Sequence, residues 1–161
     1  MYNNIKSHSF KEGASTISQQ LIKNTHLSQD KTIKRKLNEI KLATELERNI
    51  SKDEILDTYL NSIYFGNNLF GIRQASSFYF NKTVNELTIA ESAVLAGLIS
   101  APSVYNPVQN LSLSKSKASI VLSLMKEQGF ITEDEFNTAT NELKDLKVVA
   151  NKTVATVYMT A

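Results

Sequence analysis

The chain has no cysteine among its 161 residues, which rules out disulfides, thiolate metal sites and a cysteine nucleophile. That absence permits an oxidising compartment without demonstrating one. Two histidines, His8 and His26, stand far apart, so a histidine metal cluster or a Ser-His-Asp triad has little to draw on. Five glycines and two prolines leave no room for long Gly- or Pro-rich linkers. The longest apolar run, AVLAGLI at 93–99, falls far short of the ~20 residues that cross a bilayer. The opening MYNNIKSHSF lacks the apolar centre of a signal peptide, so these residues carry no membrane-targeting signal.

What is present fits one globular domain with a core: 42% of the residues are hydrophobic and 21% are charged. The net charge of +2 is unevenly spread. Residues 23–52 hold eight basic side chains against four acidic ones, making that segment +4 and the remainder −2. Such a patch suits an anionic partner (a phosphate, a nucleic acid or a membrane headgroup), although a solvated helix face has the same composition.

Helix follows helix along the chain. Three capping boxes, Ser51/Glu54, Thr88/Glu91 and Thr132/Glu135, each precede an apolar periodic stretch. After the first, Ile55, Leu56, Tyr59, Leu60, Ile63 and Tyr64 mark one buried stripe. After the second come Ala93, Val94, Leu95 and Leu98, ended by the prolines of SAPSVYNP. The third opens a helix with Phe136, Ala139 and Leu143 inward. Between them, Ile120, Val121, Leu124 and Met125 predict a further buried face, with Gly129 as its C-terminal cap. Only KVVANKTVATVY at 147–158 reads as a strand. The expected class is all-α, with a domain over 1–146 and the start of a linker or following segment at 147–161.

Two stretches carry polar groups where a core helix would carry leucines. In EGASTISQQLIKN (12–24), Ser15, Thr16, Gln19, Gln20 and Lys23 recur at helical spacing. In the basic helix, Ile33, Leu37, Ile40 and Thr44 predict the core-facing stripe, while Lys31, Arg35 and Glu39 fall opposite within an arc of about 80°. One turn later that second side becomes apolar with Leu42 and Leu46, which places Glu39 on a cleft floor. The same spacing also fits an ordinary Arg35–Glu39 surface pair, contributing a few tenths of a kcal/mol.

These segments, in order, resemble the family 51 glycosyltransferases, the peptidoglycan polymerases of class A penicillin-binding proteins and their monofunctional relatives. The family's G-x-S-T-x-x-Q-Q is matched by Gly13, Ser15, Thr16, Gln19 and Gln20. Its R-K-x-x-E is matched by Arg35, Lys36 and Glu39, and its K-x-x-I-L-x-x-Y-L-N runs from Lys52 to Asn61. LTIAESAVLAGLISAPSVYNP and MKEQGFITEDEF are similar to the family's C-terminal half, so the likeness covers roughly residues 5–143.

The resemblance implies a lysozyme-like all-α fold at the extracytoplasmic face of the bacterial cell membrane. It implies polymerisation of lipid II, a disaccharide-pentapeptide on undecaprenyl pyrophosphate. The 4-hydroxyl of lipid II attacks the anomeric carbon of the growing glycan with inversion, and the pyrophosphate-lipid leaves. On this resemblance Lys23, Lys31, Arg35 and Lys36 serve the phosphates, and Ser15, Thr16, Gln19 and Gln20 hold sugar and phosphate oxygens. Glu39 is the catalytic candidate, orienting the pyrophosphate end through basic side chains or a divalent cation such as Mg2+, with no organic cofactor. Lysine at 31, where many relatives have arginine, keeps the charge and loses the bidentate fork. Lys52, Tyr59, Asn61 and Gly66 read as structural. Expected partners are lipid II, the nascent strand, the membrane and moenomycin-type inhibitors, and not nucleic acid.

The family's first motif, E-D-x-x-F-x-x-H-x-G, carries the general base. Of the twelve residues before Gly13 only Glu12 is a carboxylate, and EDEF at 133–136 has the wrong spacing. The sequence therefore reads as an N-terminally truncated domain, without anchor or base and inactive alone, with a non-catalytic remnant as the alternative. SLSK and SKSK (112–117) fit a transpeptidase S-x-x-K, but no K-T-G follows. A lysozyme-type hydrolase would need a protonated acid in an apolar pocket, whereas the residues around Glu39 are cationic. A nucleic-acid binder would use the basic helix but leaves the Ser-Thr-Gln-Gln segment unexplained.

Overall fold

A computed structural model describes residues 15–26 and 32–151. His8, Glu12, Gly13 and Lys31 lie outside the described residues, as does the side chain of His26. The chain divides into two compact units, residues 1–59 and 60–161.

In the first unit, Thr16 starts α1 (Ile17–His26), its Oγ1 accepting the Gln19 N–H at 3.2 Å. Ser18, Leu21 and Ile22, at i, i+3, i+4 spacing, form the buried side of α1, which packs against α2 (Ile33–Asn49). Thr32 caps α2 in extended conformation and accepts the Arg35 N–H at 3.1 Å. Helix α3 (Lys52–Ser62) opens on the Ser51/Glu54 box: Glu54 N–H donates to Ser51 Oγ, while the Ser51 N–H and hydroxyl donate to the Glu54 carboxylate. Ile55 and Tyr59 are its buried residues.

The face of α2 is the reverse of the one its periodicity predicts. Ile33 and Leu37 are 71% and 63% exposed, and Ile40 and Thr44 are exposed as well. Glu39, at 1%, and Ala43 are buried, with Arg35, Lys36, Leu42 and Leu46 half-buried beside them. The reason is polar: Ser15, just before α1, and Gln19 on it are acceptors, and hydrogen bonds to them hold the charged side of α2 inward. The α3 stripe is also narrower than expected, since Leu56 and Tyr64 are exposed and the helix ends at Ser62.

In the second unit, a tight turn links the isolated antiparallel bridge between Tyr64 and Phe70. Gly66, Asn67 and Asn68 all take positive φ there, and Phe65 N–H donates to Leu69 O. Gly71 (φ 83) enters α4 (Ile72–Phe80) so tightly that a Cβ would lie 2.6 Å from Asn61 O. A 3₁₀ turn at Val84–Glu86 carries a fourth capping box, Thr83/Glu86. Helix α5 (Ile89–Ile99), buried through Ala90, Ala93, Val94, Leu95 and Leu98, packs against α6 (Leu111–Glu127) and α7 (Glu133–Asp145). The Thr88/Glu91 and Thr132/Glu135 boxes start α5 and α7.

Helix α6 buries Ser114, Ala118 and Leu122, while Ile120 and Leu124, predicted inward, are exposed. Small residues win that face because α5 comes close: a Cβ on Gly97 would sit 2.8 Å from Lys117 Cγ. Gly129 (φ 75) ends α6 in a Schellman motif, with Gly129 N–H to Lys126 O and Phe130 N–H to Met125 O. The predicted strand at 147–158 is not one in its described part. Residues 147–151 run irregularly, Val149 and Asn151 donating to the carbonyls of Tyr79 and Phe78 at the end of α4. The described residues thus form an all-α structure, as expected.

Candidate functional site

The first unit gathers its polar residues around one ammonium group. Lys36 Nζ donates to Ser15 Oγ at 2.9 Å, to Gln19 Oε1 at 3.3 Å and to Glu39 Oε1. A lysine has three N–H donors, and here all three have acceptors. Arg35 Nη1 reaches the other Glu39 oxygen at 3.3 Å, so both oxygens of a buried carboxylate face cations. Arg35 Nε is buried with no hydrogen-bond partner among the described residues. Burying a carboxylate is affordable only with such pairing, which explains why Glu39 can sit inside while Ile33 sits outside.

A second branch leads to α3. Tyr59 Oη donates to Gln20 Oε1 at 2.9 Å, and Gln20 Nε2 donates to Ser15 O at 3.3 Å. Burial raises the Tyr59 phenol above its ordinary value, which keeps it protonated and able to donate.

Of the residues singled out in the sequence, Ser15, Gln19, Gln20, Arg35, Lys36 and Glu39 are joined by bonds among themselves or through Tyr59. Thr16 is exposed and serves as the cap of α1. Lys23 is exposed one turn after Gln19 and Gln20, with no bond to the cluster among the described residues. Tyr59 is the member that sequence reading set aside as structural. Its signal was available: a buried tyrosine hydroxyl needs a partner. Among the described residues no group of three His, Asp or Glu side chains could hold a metal. Glu39 is the one carboxylate of the cluster, and both its oxygens are engaged by cations.

The sequence from residue 1 to 126 matches the transglycosylase family model. The chain belongs to the transglycosylase family. The chain is 48% identical over 143 residues to penicillin-binding protein 1A/1B of Bacillus subtilis, covering 88% of this chain and 16% of that protein. It is 44% identical to penicillin-binding protein 1F of the same organism (92% and 21%), and 47% identical to penicillin-binding protein 1A of Neisseria gonorrhoeae (86% and 17%). The crystal structure of penicillin-binding protein 1A from Haemophilus influenzae matches at a TM-score of 0.54 and 40% identity. That match covers 57% of this chain and 14% of the other. The chain thus spans about a fifth or less of the length of these relatives, and its family is one of peptidoglycan glycosyltransferases. No helix among the described residues is long and apolar enough to cross a membrane.

Proposed function

We propose that the Ser15–Lys36–Glu39 cluster binds the pyrophosphate of an undecaprenyl-linked glycan precursor during lipid II polymerisation at the extracytoplasmic face of a bacterial membrane. In that reaction the acceptor's 4-hydroxyl oxygen bonds to the anomeric carbon of the growing strand. The bond from that carbon to the pyrophosphate oxygen breaks, and the lipid pyrophosphate leaves with the electron pair. The acceptor's proton goes to a base, which the family resemblance assigns to a motif not found in these 161 residues. The role proposed for this chain's own residues is therefore to bind and stabilise the leaving group.

The observation that carries this reading is the paired cations Arg35 and Lys36 on a buried carboxylate. Negative charge grows on the pyrophosphate as the bond breaks, and preorganised charged donors stabilise it best. Glu39 holds the two cations in place and keeps their heads from spreading into solvent. Lys36 exchanges its longer neutral contact, to Gln19 Oε1 at 3.3 Å, for a phosphate oxygen and retains Ser15 and Glu39. Thr16, Lys23 and Lys31 are assigned to the same anion and its sugar by motif position, and moenomycin-type inhibitors would compete there. A hydrolase reading fits poorly, because Glu39 is paired with two cations and does not sit in the apolar pocket that the acid of a glycoside hydrolase occupies.

Farnesyl pyrophosphate, a short soluble relative of the proposed leaving group, tests this by calorimetric titration. One charge-assisted contact contributes about 1.5–3 kcal/mol, so Lys36→Met should weaken binding about tenfold or more. Farnesol should not bind. Equal binding by wild type and Lys36→Met would overturn the proposal.

A further inference from the structure

We infer that Tyr59 is a positioning residue of this site, acting through Gln20 and Ser15 on Lys36. The inference rests on the pyrophosphate reading and assigns a role that motif position did not suggest.

The chain of bonds fixes its own direction. Ser15 O is a carbonyl and can only accept, so the group that Gln20 turns towards it must be the amide nitrogen. That leaves Gln20 Oε1 facing Tyr59, whose phenol must then donate. The Gln20 amide is thus locked at both ends. Ser15, tethered by its carbonyl to Gln20, presents its hydroxyl oxygen to the Lys36 ammonium. Three segments distant in sequence, at positions 15–20, 36–39 and 59, are brought to one polar chain that ends on Glu39.

The Tyr59 ring is buried, which fixes where its hydroxyl points, and burial keeps that hydroxyl protonated. Removing the hydroxyl leaves the ring's packing intact but frees the Gln20 amide to rotate. Ser15 then loses its tether, and Lys36 loses a fixed acceptor. Tyr59 touches neither phosphate nor sugar in this account and is not a catalytic residue.

The test is a double-mutant cycle on the full chain, read by farnesyl pyrophosphate affinity. Tyr59→Phe should weaken binding about threefold to tenfold, the size of one neutral hydrogen bond. Gln20→Met, which keeps length but removes both amide functions, should weaken it similarly. The double variant should be no weaker than the worse single one, because both break the same chain. A merely structural tyrosine would lower the unfolding midpoint without this non-additivity. A second readout needs no ligand: the 15N signal of the Lys36 ammonium should shift in Tyr59→Phe. Independent, multiplying losses, or an unmoved Lys36 signal, would overturn the inference. If Lys36→Met loses binding while Tyr59→Phe and Gln20→Met bind like wild type, the pyrophosphate reading stands and the positioning role falls. If the wild type does not bind the probe, or Lys36→Met binds equally well, the pyrophosphate reading falls and takes this role with it.

Discussion

Replacing Lys36 by methionine keeps most of the aliphatic stem and removes the ammonium that three acceptors share. Ser15 Oγ and Gln19 Oε1 are only half-buried and can turn to water, at about 0.5–1 kcal/mol each. Glu39 has no such escape, since its side chain is 1% exposed. Breaking a fully buried pair by removing one partner costs about 3–5 kcal/mol. Here the figure must be reduced, because the Lys36 side chain is 41% exposed and Arg35 Nη1 remains on the carboxylate. The expected loss is about 2–3 kcal/mol in total, read from urea unfolding followed by circular dichroism. Adding Glu39→Gln to Lys36→Met removes the stranded charge and should recover about 1 kcal/mol or more of it. Lys34→Met, an exposed neighbour on the same helix, should change stability by less than about 0.5 kcal/mol. If Lys36→Met proves as mild as Lys34→Met, the buried carboxylate does not depend on Lys36, and the description of the cluster is wrong.

Two glycines with nearly the same φ should respond differently to alanine. Gly71→Ala meets Asn61 O at 2.6 Å and should cost about 2–4 kcal/mol, while Gly129→Ala meets nothing within 4 Å and should cost about 1 kcal/mol; equal shifts in urea midpoint would refute the close approach. Glu54, Glu86 and Glu135 each accept a backbone N–H and a hydroxyl from their cap residue, which hold these carboxyls below the ordinary 4.5. Their folded values lie below their unfolded ones, so the stabilisation is complete above 4.5 and is lost as pH falls through the folded values. A triple Glu54→Gln, Glu86→Gln, Glu135→Gln variant should therefore lose less stability than wild type between pH 6 and pH 3, and an equal loss would count against the caps.

Local signals in the sequence proved the most legible. Each capping box needs only residues three apart, and Ser51, Thr88 and Thr132 all start helices as expected. Gly129 likewise announces the end of α6, since only a positive φ completes that turn. Helix faces were harder, because periodicity treats apolar residues as the buried ones. Helix α2 buries Glu39 instead of Leu37 because its partners, Ser15 before α1 and Gln19 on it, are hydrogen-bond acceptors. Helix α6 buries Ser114 and Ala118 instead of Ile120 because close approach to Gly97 favours small side chains. At the site, the Arg35–Lys36–Glu39 spacing was visible, being local. The Lys36–Ser15 and Tyr59–Gln20 bonds span 21 and 39 residues, and no pattern in the sequence reveals such pairings.

The central claim is that Lys36 and Arg35, held by Glu39, receive a pyrophosphate. A crystal structure of the chain with farnesyl pyrophosphate tests it most directly. The account predicts phosphate oxygens about 2.8 Å from Lys36 Nζ and within reach of the Arg35 guanidinium, with Glu39 and Ser15 still paired to Lys36 and Gln19 released. A pyrophosphate seated elsewhere, with Lys36 still bonded to Ser15, Gln19 and Glu39, would contradict it.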